Sequence, residues 1–208
     1  MNKRILGIAF VALGFLMMLS AIGLGAAYAK REAAAGQYSE MIMVEYKRHE
    51  QETLPLPIPS KAPEVQIEAA AEPEEIPEMA TDDYFGLRML GVLKVPDCGI
   101  ELPVLDDWNF TILDYAPCRY TGSVFSDDMV IMGHNYTTHF KPLKKVGKGA
   151  SVVFEAVDGK VWNYVVEEID SIHRDEPEKL ESEHELILFT CEEYGVYRFV
   201  ARCRLIEE

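Results

Sequence analysis

The sequence has few positive charges for its length. It carries 20 Lys and Arg residues against 35 Asp and Glu residues, which gives a formal net charge of −15 at pH 7. A nucleic-acid-binding protein needs a patch of Lys and Arg to neutralise phosphates, and the sequence has no such patch. The acidic balance therefore argues against nucleic acid as a partner.

Cysteines are also few. The four of them, Cys98, Cys118, Cys191 and Cys203, are too scattered for a small disulfide scaffold. None belongs to a C-x-x-C pair, so a zinc knuckle is not expected. The sequence leaves open whether Cys98 and Cys118 are joined, since an exported domain permits a disulfide.

One long hydrophobic run lies near the N-terminus. Residues 5–29, "ILGIAFVALGFLMMLSAIGLGAAYA", contain no charge and follow Lys3 and Arg4. A helix of about 20 apolar residues spans a bilayer core, whereas the apolar region of a cleaved signal peptide has only about 7–15. Residues 27–29, "AYA", match a cleavage site and keep the signal peptide as an alternative. The length of the run favours an uncleaved transmembrane anchor, formed by residues 1–30, rather than a signal peptide.

The orientation of this anchor is weakly marked. Positive charges flank both ends of the run, at Lys3 and Arg4 and at Lys30 and Arg31, so the positive-inside rule gives little direction. Because only four residues precede the run, we expect the N-terminus in the cytoplasm. The chain is then a single-pass protein of the cell membrane with an extracellular domain.

Residues 31–83 are expected to connect the anchor to that domain. Residues 31–52 are polar with helical tendency and a poor apolar stripe, which predicts a juxtamembrane helix that continues the span. Residues 53–83 contain six of the 11 prolines, many glutamates and no aromatic residue. Such a composition cannot bury enough apolar surface to offset its conformational entropy, so we expect a disordered stalk.

Residues 84–208 have a different composition. Short runs rich in Val, Ile, Tyr and Phe alternate with turn residues such as Asp158-Gly159. This spacing predicts an all-β fold, a sandwich or a closed barrel, with one or two short helices at 139–146 and 108–115. The predicted strands are residues 87–95, 129–132, 151–157, 161–172, 186–190 and 198–206.

Three polar side chains stand at the ends of these strands. Cys191 ends one strand beside a turn, His134 follows the strand in "DMVIMGHNY", and Arg198 begins the last strand. Singly, they are explained as a core cysteine and solvated surface residues. A cysteine becomes a nucleophile when cationic or hydrogen-bonding neighbours favour its thiolate. If the strands of His134 and Cys191 are close, the three groups meet at one rim of a barrel.

The residues around them resemble the sortase family, the membrane-anchored cysteine transpeptidases of Gram-positive cell surfaces. Residues 187–191, "ILFTC", are similar to the family's cysteine motif T-L-x-T-C, with Ile187 in place of the first Thr. Gly133-His134 matches the step that carries the family's catalytic histidine, and Arg198 falls where the family places its essential arginine. The resemblance covers about residues 85–205.

This resemblance implies a closed sortase-like β-barrel and acyl transfer. Cys191 would attack an L-P-x-T-G-like sorting signal of a surface protein and form a thioester, which an amine from a peptidoglycan precursor or a pilin resolves. His134 would act as general acid and then as general base. Arg198 would hold the oxyanion or the substrate backbone, and Thr190 would line the substrate cleft. The scheme requires no metal and no cofactor.

The sequence leaves the class and two other functions open. Only about a dozen residues separate the strand near His173 from the one that begins at Leu186, which is short for the insertion of class B sortases. Class B is therefore disfavoured, and no other class is singled out. The alternatives to a transpeptidase are a surface Cys-His peptidase, that is, a hydrolytic thiol protease, and a non-catalytic membrane-tethered β-barrel binding module.

Overall fold

The computed structural model describes residues 3–53, 77–192 and 195–206, without the side chains of residues 3–6, 9 and 53. Most of the stalk predicted over residues 53–83 lies outside the described residues. Within them the chain forms one long helix, α1 (Lys3–Thr53), and nine strands. The strands are β1 (Asp82–Tyr84), β2 (Leu87–Val95), β3 (Ile100–Leu105), β4 (Cys118–Thr121), β5 (Met129–Gly133), β6 (Ser151–Ala156), β7 (Val161–His173), β8 (Leu186–Cys191) and β9 (Tyr197–Leu205).

Eight of the described strands close into a barrel. Their order is β2-β3-β4-β5-β8-β9-β7-β6, and β6 pairs back to β2, while the short β1 extends the edge of β2. The pairs β3–β4 and β5–β8 are parallel, and the other pairs are antiparallel. At the closing seam, a Cβ atom on Gly91 would lie 2.1 Å from the carbonyl oxygen of Glu155, so only glycine fits there. The predicted closed all-β barrel is confirmed.

The six predicted strands agree with the structure to within one residue at each end. Strands β1, β3 and β4 were not predicted. The helix expected at residues 139–146 is a short 3-10 helix, Pro142–Lys145. The helix expected at residues 108–115 is wrong, because this segment forms turns. Its bend is held by the side-chain oxygen of Asn109, which accepts hydrogen bonds from the backbone N–H groups of Thr111 and Ile112.

Buried apolar side chains form three clusters. The largest fills the barrel interior and includes Leu93, Ile131, Phe154 and Leu188. Cys203 belongs to this cluster, as its alternation along the last strand predicted. The second cluster lies on the outside of the barrel under α1, and the third lies outside β5, β8 and β9 against the 3-10 helix Pro177–Leu180. The outer face of the barrel is therefore covered at two places.

Helix α1 has two parts with different surroundings. In its first part, the large apolar side chains from Ile8 to Leu24 are 52–75% exposed, so no other described residue covers them. This is the one helix of the described residues that is long and apolar enough to cross a membrane. An exposed apolar helix of this length is consistent with a membrane anchor.

The second part of α1 packs on the barrel. Ala35, Ser39, Ile42 and Tyr46 are 1%, 3%, 0% and 9% exposed, and their spacing places them on one face of the helix. The helix approaches closely at Gly36, where a Cβ atom would lie 2.7 Å from the Cγ2 atom of Thr138. The apolar stripe is thus well formed, but it begins with a small and a polar residue. The division of the chain at residues 30 and 83 remains a prediction.

Candidate active site

Strand register brings the predicted site residues to one end of three neighbouring strands. In the parallel pair of β5 and β8, Gly133 lies beside Thr190, so His134 and Cys191 follow side by side. In the antiparallel pair of β8 and β9, Cys191 lies opposite Arg198. Since adjacent strands are about 4.8 Å apart, the thiol, the imidazole and the guanidinium converge at one mouth of the barrel.

Alternation along β8 turns the Cys191 side chain outwards. Ile187 and Phe189 belong to the cluster on the outer face of the barrel, and Cys191 shares that face. Cys191 is exposed, as attack on an external substrate requires. All four cysteines, which all lie within the described residues, are free thiols. Burial raises the pKa values of Cys118 and Cys203 to about 12, so these two thiols stay protonated at neutral pH.

Thr190 lies on the opposite face of β8 from Cys191. Its side chain is fully buried, with 0% of the residue exposed, and its hydroxyl oxygen has no hydrogen-bond partner among the described residues. The predicted contact of this side chain with a substrate is therefore disfavoured by the geometry. In this conformation Thr190 contributes packing behind Cys191 and the backbone register with Gly133.

Arg198 has a free donor beside Cys191. Its guanidinium carbon lies 5.4 Å from the centre of the Phe189 ring, a cation–π contact that keeps the guanidinium at the outer face of the barrel. Its Nη1 atom is buried and has no hydrogen-bond partner within the described part of the chain. The guanidinium carries five N–H donors in all, and those not sealed from solvent can donate to a substrate carbonyl or to an oxyanion.

His134 is half-buried, with 26% of its side chain exposed. Burial is the main cause that lowers its pKa below the usual value, and the positive charge of Arg31 lowers it further, while Asp114 acts in the opposite direction. At neutral pH the imidazole is therefore mostly uncharged and able to accept a proton. Its ring stacks at a tilt of 34° on Tyr136, with 4.8 Å between the ring centroids.

Asp114 is a site residue that sequence reasoning missed. Its Oδ1 atom lies 3.3 Å from Nε2 of His134 and accepts a hydrogen bond from the Tyr136 hydroxyl at 3.1 Å. Its Oδ2 atom accepts a hydrogen bond from Nη2 of Arg31 at 3.1 Å. Nothing in the local sequence distinguishes Asp114 from the other acidic residues. In addition, the turn that carries Asp114 was predicted as a helix.

An open cleft of about 560 Å³ holds Cys191 and His134 together; we call it the site cleft. Asn135, Tyr136 and Glu192 contribute to its lining, and Tyr28 of α1 forms another wall. The Tyr28 hydroxyl donates to the carbonyl oxygen of Asn135 at 3.3 Å, and its ring meets Tyr136 edge-on at 5.6 Å. The apolar part of α1 thus ends at the site cleft.

A second depression of about 650 Å³, the lateral groove, lies on the same outer face. Its apolar lining includes Tyr120, Val130, Leu180 and Ile187, and its polar lining includes Asp128, Glu178, Glu181 and His184. Ile187 is four residues before Cys191 on β8, so about 13 Å separate the groove from the thiol. An extended peptide of four or five residues can reach from the groove to Cys191.

The described residues contain no cluster of three or more His, Cys, Asp or Glu side chains arranged to hold a metal ion. The chemistry that their arrangement supports is acyl transfer: an exposed thiol, an uncharged imidazole beside it and an unpaired guanidinium donor across from it.

Comparison with known families agrees with this fold and arrangement. The model of the sortase domain matches residues 93–206, more than half of the chain. The chain therefore belongs to the sortase family. Members of this family are cysteine transpeptidases, and the family and the fold together support a transpeptidase function in general. No curated protein matches the chain.

Several solved sortases share the fold. Sortase A of Listeria monocytogenes is 23% identical, with a TM-score of 0.51 over 57% of this chain and 88% of that one. Sortase A of Corynebacterium diphtheriae is 18% identical, with a TM-score of 0.53 over 59% of this chain and 62% of that one. Sortase C of Clostridium perfringens, solved with the C-terminal cell wall sorting motif, is 21% identical, with a TM-score of 0.51 over 62% of this chain and 74% of that one. The likeness extends to more than one sortase class.

Proposed function

We propose that the chain is a sortase-type transpeptidase that cleaves an L-P-x-T-G-like sorting signal through a thioester on Cys191. The acyl group then passes to an amine of a cell-wall precursor or a pilin. The observation that supports this most is the pairing of Gly133 with Thr190 and of Cys191 with Arg198. It brings the three groups that acyl transfer needs to one exposed mouth of the barrel.

The reaction has two halves that share one proton carrier. His134 takes the thiol proton, and the thiolate attacks the scissile carbonyl carbon. The C–N bond breaks, the imidazolium returns the proton to the departing amine, and a thioester remains on Cys191. The incoming amine then attacks the thioester, gives its proton to His134, and releases the thiol after that proton returns to sulfur.

Arg198 stabilises the charge that develops on the carbonyl oxygen in both halves. Arg198 lies directly opposite Cys191 on β9, and its guanidinium carries several N–H donors at that position. A single oxyanion donor is worth about 2.7–4 kcal/mol of transition-state stabilisation in other acyl-transfer enzymes. We expect Arg198→Ala to lower kcat by the factor that corresponds to this loss of free energy. The accompanying rise in KM should be smaller.

The lateral groove is the expected place for the sorting signal. Its apolar lining, with Val130, Leu180 and Ile187, suits the leucine and proline at the start of such a signal. The remaining residues would run along β8 over Phe189 to Cys191. The likeness to a sortase C solved with a sorting motif supports a C-terminal sorting signal as the substrate class.

The arrangement along the chain fits a surface enzyme. In this proposal residues 1–30 anchor the chain in the cell membrane, residues 31–83 form a helix and a stalk, and residues 84–208 form an extracellular catalytic barrel. Its partners are surface proteins with C-terminal sorting signals and an amine acceptor of a Gram-positive cell wall or pilus. The exposed apolar side chains of the first part of α1 support the anchor.

Product analysis with the full-length chain in lipid nanodiscs tests the function. A fluorogenic L-P-x-T-G-like peptide is incubated with and without triglycine, and the products are separated by mass. We expect an amide-linked product that increases with triglycine and is absent in Cys191→Ala, whereas Cys98→Ala, a change of a half-buried cysteine, behaves as wild type. Hydrolysis alone at every amine concentration would indicate the peptidase. No cleavage, together with equally slow labelling of all cysteines by a thiol probe, would indicate the binding module.

A further inference from the structure

The segment of α1 where the apolar part ends contacts both loops that carry site residues. Tyr28 donates a hydrogen bond to the carbonyl of Asn135, the residue after His134. Glu32 accepts hydrogen bonds from the backbone N–H and the hydroxyl of Thr137. Arg31 pairs with Asp114 on the other loop. Three side chains within five residues of one helix therefore contact the two loops that carry His134 and Asp114.

The carboxylate of Asp114 connects this helix to the His134 ring. One oxygen faces Nε2 of His134 at 3.3 Å and accepts the Tyr136 hydroxyl, and the other faces Arg31 at 3.1 Å. Burial, and then Asp114, raises the pKa of Tyr136 to about 12, so Tyr136 stays a donor to the carboxylate at neutral pH. The imidazole is thus held at one ring nitrogen by Asp114 and over one face by the Tyr136 ring.

We propose that Asp114 is a positioning residue for His134 and that Arg31 holds Asp114 in place, so that the membrane-linked helix completes the active site. This inference rests on the proposed function, because it takes His134 as the proton carrier. A carboxylate at Nε2 favours the tautomer with the proton on that nitrogen, which leaves Nδ1 free to accept the thiol proton.

Asp114 and Arg31 differ in exposure, and this sets the expected size of the effects of substituting them. Asp114 is 25% exposed on its side chain and Arg31 is 70% exposed. An exposed ion pair is weak, so we expect loss of Arg31 to act only by loosening Asp114. The charged and titratable groups that face the His134 ring are Asp114, Arg31, Tyr136 and His139, with Tyr28, Lys141, Cys191 and Glu192 across the site cleft.

Steady-state transfer by the full-length chain in nanodiscs tests the proposal with four single variants and one double variant. Asp114→Asn should lower kcat about tenfold with little change in KM, and Arg31→Gln should lower it about three- to fivefold. Arg31→Lys should restore most of the loss. Lys47→Gln is the matched control, because it removes another exposed ion pair of the same helix, with Glu101 at 2.9 Å. It should leave kcat unchanged.

The pH profile and the double variant separate positioning from folding. Because Asp114 raises the pKa of His134, Asp114→Asn should move the acid limb of kcat, where the neutral imidazole is lost to protonation, to lower pH. Arg31→Gln should add nothing in the Asp114→Asn background. Equal losses in Arg31→Gln and Lys47→Gln, additive losses in the double variant, or an unmoved acid limb would overturn the proposal. Absence of transfer in the wild type would instead overturn the proposed function.

Discussion

The ring of Phe140 packs directly against Gly133, the residue before His134. A Cβ atom on Gly133 would lie 2.6 Å from Cγ of Phe140, which is itself 0% exposed and belongs to the barrel interior. The glycine of the Gly-His step is therefore a packing requirement. It allows β5 to end close enough to Phe140 that His134 emerges beside Cys191.

Gly133→Ala should consequently damage both stability and activity. The added methyl group must displace either Phe140 or the end of β5, which we expect to cost about 1–3 kcal/mol of unfolding free energy. Transfer activity should fall more than stability explains, because His134 moves with the strand. Denaturant unfolding and kcat measure the two effects.

Gly147→Ala is the control for that change. Gly147 has no heavy atom within 4 Å of the position its Cβ would take. It should leave both stability and kcat near wild type. Equal stability and activity of the two alanine variants would refute the packing argument.

Trp108 is expected to contribute to substrate binding. It is 41% exposed and its ring lies 5.3 Å from Tyr120, which lines the lateral groove and meets Phe189 edge-on. Trp108→Ala should raise KM for a sorting peptide several-fold and leave kcat nearly unchanged, because it removes contact with substrate and none with the reacting atoms.

Phe85→Ala provides the comparison for Trp108→Ala. Phe85 is 60% exposed but lies in the turn between β1 and β2, away from the lateral groove. Steady-state kinetics with peptides of varied length should show no change in KM for this variant. A normal KM in Trp108→Ala would remove Trp108 from the binding surface.

The docking of α1 on the barrel should contribute measurably to the free energy of unfolding. Ile42 is 0% exposed and packs with Met43 and Tyr46 in the cluster under the helix. Ile42→Ala should lower the free energy of unfolding of the detergent-solubilised chain by about 2–5 kcal/mol. Met41→Ala, one residue away and 41% exposed, should change it by less than about 0.5 kcal/mol. Similar small effects of both substitutions would mean that the helix does not dock in solution.

Low pH should weaken the docking of α1 on the barrel, because it favours protonation of the buried His139. This residue is 1% exposed and lies 3.2 Å from the Ser39 hydroxyl on α1; burial, and then the nearby His134, lowers its pKa to about 4. The unfolded chain binds the proton near pH 6.5 and the folded chain only near pH 4, so stability is lost as pH falls through this window. The full loss is roughly 3 kcal/mol.

Unfolding measured between pH 7 and pH 4 checks this expectation. His139→Gln should flatten the pH dependence, whereas His173→Gln, a change of a more exposed histidine on β7, should keep it. An unchanged slope in His139→Gln would contradict the assignment of the effect to His139.

The sequence predicted the fold where side-chain alternation is regular. Strands β2 and β5–β9 are rich in Val, Ile, Leu and aromatic residues and lie between turn signals, and their bounds were correct to within one residue. Strand β3 was missed because Pro103 interrupts it, and proline is usually absent from inner strands. Strand β4 has only four residues, "CRYT", which is too short to show a period.

The candidate site was predictable only where its residues end strands. Cys191, His134 and Arg198 follow from strand ends and motif, and their roles stay predictions until activity is measured. Asp114 and Arg31 are 83 residues apart in sequence and meet only through the docking of α1. That docking was missed because the buried face of the helix begins with Ala35 and Ser39, which a search for large apolar residues does not detect.

Rapid-quench mass spectrometry of the full-length chain with an L-P-x-T-G-like peptide tests the central claim most directly. In the absence of an amine acceptor, we predict an acyl adduct on the proteolytic fragment that contains Cys191. The adduct should disappear, with formation of an amide product, when triglycine is added. Cleavage of the peptide without an adduct on Cys191, or an adduct on Cys98, Cys118 or Cys203 instead, would contradict the account.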